Sequence, residues 1–151
     1  MIPVVVPPLP SQALSALFLR AVVLGWAAAF CLSFGGAAVA ADTSATEQLQ
    51  RWTAEAKTPA SADKGKVFFA AKHGGEWSCA SCHNAPPTTE GKHVTTGKAI
   101  APLAPGFNPK AFTDAAKVDK WFRRNCKDVL SRECTAPEKA DVMAYLLSLK
   151  P

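Results

Sequence analysis

The densest chemistry in this chain lies in Cys79-Ala80-Ser81-Cys82-His83. Two thiols three positions apart can reach both vinyl groups of a haem, and an imidazole on the next residue can meet the iron from the same side. A redox-active Cys-x-x-Cys pair wants a βαβ setting, and a zinc site wants further ligands close by; the flanking sequence offers neither. The pentapeptide predicts one covalently bound haem c, with Cys79 and Cys82 as the thioether cysteines and His83 as proximal iron ligand.

The second axial position is less plainly supplied. Small electron-carrying cytochromes commonly use a methionine sulfur there. Met143 is the one methionine besides Met1, and its spacing with Leu146 and Leu147 marks it as a core residue on a helix. The segment between the motif and the C-terminal half offers His93, Asn108 and several lysines, or leaves the iron open. His93 would make a six-coordinate, low-potential carrier, unless it is simply a surface histidine beside Lys92. Asn108, between Phe107 and Pro109, can present an amide oxygen or merely shape a turn. Residue types alone leave these alternatives standing.

The elements that must position these groups are helical. Ser44-Ala45-Thr46-Glu47 has capping-box spacing, and Leu49, Trp52 and Ala56 follow at helical intervals up to Pro59, predicting a first helix over about Thr46 to Lys57. Ser61 can cap a second, with Val67, Phe68 and Ala71 on its apolar side and Gly74-Gly75 at its end, which places His73 on that helix. From Asn84 to Phe112 prolines and glycines interrupt any period, which predicts a long loop without strands, of a kind a bound cofactor would account for. Thr113 or Asp114 opens a third helix with an apolar stripe of Val118, Trp121, Phe122 and Val129. Thr135-Ala136-Pro137-Glu138 opens a fourth through Leu149. Cys126 and Cys134 stand between these two helices, where a disulfide would close a short loop; free thiols packed as small hydrophobes are the alternative.

At 151 residues with 48% hydrophobic side chains, the chain can build a single core. The only charge before Asp42 is Arg20, followed by the apolar run Ala21 to Phe34 and the small-x-small triplet Ala38-Val39-Ala40. This predicts a secretory signal over residues 1–40, cut after Ala40, and a periplasmic domain over residues 41–151. An uncleaved anchor is the rival reading, and Cys31 goes with the leader. The net charge of +5, less Arg20, is a mild bias that suits a weakly acidic protein partner. The basic residues are scattered among acids without a basic aromatic platform, so nucleic-acid binding has no support.

Beyond the haem motif, Thr96-Gly97-Lys98-Ala99-Ile100-Ala101-Pro102-Leu103-Ala104-Pro105 and Asn108-Pro109-Lys110-Ala111-Phe112-Thr113-Asp114 resemble the sphaeroides haem protein (SHP) family of c-type cytochromes. Lys117 to Phe122, the pair Cys126 and Cys134, and Glu138-Lys139-Ala140-Asp141 through Leu149 continue the resemblance. It implies an all-α, class I cytochrome c-like domain of about four helices around one covalent haem, with Asn108 as distal ligand to ferric iron and a disulfide between Cys126 and Cys134. It also implies that this ligand leaves on reduction and that a small diatomic molecule, oxygen or nitric oxide, then binds. An amide oxygen is a hard donor that suits ferric iron better than ferrous. An electron-donor cytochrome is the implied partner, such as a dihaem cytochrome c linked to a membrane cytochrome b. The chain departs from the family pattern at Ala111 and in carrying His93. A plain six-coordinate carrier and a small reductase of oxygen, peroxide or a nitrogen oxide are the competing functions. No acid/base pair in the loop favours the reductase.

Overall fold

The structure, a computed structural model, describes residues 43–151, so the predicted leader, its cleavage site and Cys31 lie outside the described residues. Helix α1 (Ala45–Ala56) opens where Ser44 Oγ accepts the Glu47 N–H (3.2 Å) and the Glu47 carboxylate accepts the Ser44 N–H (2.8 Å). That reciprocal pair satisfies two amide donors that a helix start leaves free. Lys57, at φ 55°, ends it in the left-handed conformation.

Helix α2 (Ala62–Ala70) is capped by Ser61, whose own N–H donates to Asp141 Oδ1 (2.7 Å) on the last helix, α5 (Ala136–Ser148). The two helices meet at Gly65, where a Cβ would run into the backbone carbonyl of Asp141. Only a residue without a side chain lets α2 cross α5 this closely. Helix α5 is the hub: α1 and α2 both pack on it, and Ala140, Val142, Met143, Tyr145 and Leu146 are buried there with Trp52 and Phe69. Thr135 and Glu138 form its capping box, with Pro137 in the first turn.

The haem motif itself folds as a short helix, α3 (Cys79–His83), and α4 (Ala115–Leu130) is capped by Asp114. Val118, Cys126 and Val129 face inward from α4. Trp52 of α1 meets Phe122 edge-on at 4.6 Å between ring centres, and a disulfide between Cys126 and Cys134 fastens the end of α4 to the segment leading into α5. Among the described residues no helix is long and apolar enough to cross a membrane.

The described residues hold five helices, the short one at the motif standing beside the four longer ones expected, in keeping with an all-α, class I-like domain. Three expectations are corrected. Helix α2 stops at Ala70, with Ala71 already extended, so His73 lies beyond it at φ 50° and not on it. The long loop contains an antiparallel hairpin, β1 (Gly91–Lys92) with β2 (Ala99–Ile100), pairing Gly91 with Ile100 and Lys92 with Ala99. Strands of two residues leave no alternation to read. Trp121 (48% exposed) and Val67 (70%) point to solvent, although each belongs to a helical apolar pattern. Helices α2 and α4 each spend their inward arc on other residues, Phe69 in one and Val118, Phe122 and Cys126 in the other.

Candidate haem site

Helix α3 places Cys79 and Cys82 one turn apart as free, half-buried thiols, with His83 at its last position. Ser81 Oγ accepts the Ser78 N–H (2.9 Å) at its start. At its end Asn84 takes a positive φ (64°) with an extended ψ and donates its amide to the Glu90 carbonyl (3.0 Å), folding the chain back so that β1 lies on the motif. Gly91 then rests against the Cys82 carbonyl and the Cα of His83, a contact no Cβ would permit.

Burial pushes the Cys79 thiol up to about 11, with the neighbouring Cys82 a smaller contribution in the same direction. A thiol held neutral is a poor disulfide-exchange nucleophile, which weighs against a redox-active pair. Burial also lowers the pKa of His83, favouring the neutral imidazole that a metal requires. Its Nδ1 is buried and has no hydrogen-bond partner among the described residues, and the ring lies 6.3 Å, centre to centre, from buried Phe69. An imidazole whose Nδ1 is sealed in protein has Nε2 as the nitrogen left for an external partner. An open groove of about 520 Å³ lies against Ala85 and Pro86, just past the motif, lined by the apolar Phe69, Tyr145 and Leu149 and by the charged Asp63 and Lys66. The donor set fits a covalently attached haem: two thiols at vinyl spacing, and a neutral imidazole following directly.

The segment carrying the distal candidates is tied to the proximal side. The Leu103 and Ala104 N–H groups both donate to the Pro87 carbonyl (3.1 and 3.0 Å), four residues past His83. Around that junction Asn108 is held twice through its side chain: Nδ2 donates to the Pro102 carbonyl (2.9 Å), and Oδ1 accepts the Lys110 N–H (3.2 Å). Oδ1 keeps a second lone pair for another partner.

His93 is arranged oppositely. Its Nδ1 accepts the N–H groups of Thr95 and Thr96 (3.3 and 3.2 Å) inside the hairpin turn. Those two donors engage the Nδ1 lone pair. Met143 is fully buried in the core, as expected. His73 donates from Nε2 to the Phe68 carbonyl (2.8 Å) and leans on the Phe68 ring.

The sequence reading missed Gly91, Pro87 and Pro102. A glycine in a loop was visible but ordinary. The prolines act through backbone carbonyls, which carry no residue-type signal.

The fold and this site define a monohaem c-type cytochrome with one covalent haem, all-α and class I-like. The chain belongs to the SHP family of these cytochromes: residues 55–146 match the family described as Domain of unknown function (DUF1924), the SHP-type domain. It is 45% identical over 115 residues to cytochrome c-type protein SHP of Cereibacter sphaeroides, covering 74% of this chain and 88% of the relative. The structure of oxidised SHP, described as an oxygen-binding cytochrome c, superposes with a TM-score of 0.67 at 43% identity, covering 72% of this chain and 99% of that one. The solution structure of cytochrome c'' from Methylophilus methylotrophus, reported for its insight into haem-ligand detachment, gives 0.62 at 40% identity over 71% and 94%.

Proposed function

We propose that this protein is an exported monohaem cytochrome in which Cys79 and Cys82 hold the haem, His83 is the proximal ligand, and Asn108 is a displaceable distal ligand to ferric iron. The bound haem supplies a one-electron redox centre. With the haem bound and reduced by a donor cytochrome, the Asn108 amide would yield its place to a small diatomic ligand such as oxygen or nitric oxide. Oxygen binding by SHP and ligand detachment in cytochrome c'' support this reading.

The observation that carries it is the environment of Asn108. An amide that leaves a metal inside a protein must find hydrogen-bond partners or bear the cost of a buried, unpaired polar group, about 1–3 kcal/mol. Asn108 has such a partner beside it, the Pro102 carbonyl for Nδ2, while the Lys110 N–H orients Oδ1. A released state is thus provided for, and a hard, neutral oxygen donor is released more readily from ferrous than from ferric iron. His93, with Nδ1 engaged by two backbone donors, lacks that freedom.

The test is the absorption spectrum of the purified mature protein, oxidised and reduced, with carbon monoxide or nitric oxide added to each form. A high-spin reduced form that binds the gas rapidly is expected. A low-spin reduced form that ignores the gas would overturn the proposal in favour of a plain electron carrier.

A further inference from the structure

The loop that presents Asn108 is fastened from outside. From Asn108 a run of hydrogen bonds leads away to the first residues of α1. The Lys110 N–H donates to Asn108 Oδ1 (3.2 Å), and Thr113 Oγ1 donates to the Lys110 carbonyl (3.0 Å). The Thr43 N–H donates to the Thr113 carbonyl (3.1 Å), and Gln48 Nε2 donates to Thr43 Oγ1 (3.0 Å). Gln48 is only 3% exposed, and among the described residues its Oε1 has no partner and its amide is held through its bond to Thr43.

Within the same stretch Phe112 adopts φ 63°, a conformation that a bulky side chain reaches only under strain. Strain of this kind persists where the surroundings over-determine the backbone. Here the fastenings bracket it: Thr113 Oγ1 closes the turn on Lys110, and Thr43 pins Thr113 from the next element. Phe112 itself packs against the core cluster.

We propose that Thr113, anchored by Thr43, is a positioning residue for Asn108: the start of α1 clamps the turn from Asn108 to Thr113 and so sets how readily the Asn108 amide yields its place at ferric iron. The proposal rests on the Asn108 reading above. Opening the clamp frees Lys110, removes the N–H that orients Oδ1, and makes Asn108 easier to displace.

The experiment uses the full-length mature holoprotein. Imidazole binding to the ferric form is followed by stopped-flow absorption in the wild type, Thr113→Val, Thr113→Ser, Asn108→Val, and the Thr113→Val/Asn108→Val double variant. Exchange of the Lys110 amide hydrogen is followed by NMR. Thr113 is exposed, so its substitution leaves the core intact. Thr113→Val is expected to speed imidazole binding about five-fold, the scale of one lost hydrogen bond, and to accelerate Lys110 exchange. Thr113→Ser stays near wild type, and Thr113→Val adds nothing on top of Asn108→Val. A wild-type rate in Thr113→Val beside a fast Asn108→Val overturns the clamp and spares the Asn108 reading. Equal acceleration by Thr113→Val in both backgrounds also overturns it, because the clamp would then act through something else. An Asn108→Val variant with wild-type kinetics rejects the Asn108 reading and the clamp with it.

Discussion

Gly91 lies so close to the backbone carbonyl of Cys82 that the two chain segments touch without an intervening side chain. The hairpin therefore forms a wall for the haem motif. Gly91→Ala forces β1 away from α3. The expected loss is about 1–3 kcal/mol in chemical denaturation, the usual range for overpacking, together with a lower yield of covalently attached haem on expression. Normal stability and normal haem content would show that the wall is dispensable.

Replacing His93 separates the two distal candidates. In His93→Ala the turn loses the acceptor for two backbone N–H groups, so the hairpin loosens. Ferric and ferrous absorption spectra are expected to match the wild type. A ferric spectrum that turns high-spin would identify His93 as the ligand.

The disulfide should be structural only. Cys126 and Cys134 are eight residues apart, and the chain-entropy relation for such a loop gives about 2.5 kcal/mol. The Cys126→Ala/Cys134→Ala variant is expected to lose roughly that much stability in urea while keeping wild-type spectra and gas binding. A changed reduced spectrum would assign the bridge a part in the site.

Acid should weaken the start of α5 first. Arg132 hydrogen-bonds both oxygens of Glu138 (2.8 and 2.7 Å) and holds its carboxyl down to about 2, against 4.5 ordinarily. A depressed folded-state pKa stabilises the fold above the unfolded value, and that contribution is lost as pH falls from about 4.5 to 2. Arg132 is half exposed, so screening by water limits the effect to about 0.5–1 kcal/mol. Glu138→Gln should flatten the pH dependence of the melting temperature in that window. An unchanged acid slope would place the sensitivity elsewhere.

What the sequence determined alone was local. Cys79, Cys82 and His83 carry their chemistry in their spacing, whatever surrounds them. The boxes Ser44/Glu47 and Thr135/Glu138 mark helix starts because both partners lie within one turn. Met143 was legible as core because its neighbours recur at helical steps. The tertiary structure decided what depends on residues distant in sequence or on backbone atoms. Trp121 shares a period with Phe122, yet only the packing of α1 and α5 chose which of them faces inward. Residue types alone left both His93 and Asn108 open as the distal ligand, and the family resemblance pointed to Asn108. Two backbone N–H groups occupy the lone pair of one, while Pro102 and Lys110 orient the amide of the other and leave its oxygen a free lone pair. Backbone donors and acceptors are the same at every residue, so no pattern of side chains shows which of those groups each side chain meets; the fold fixed that.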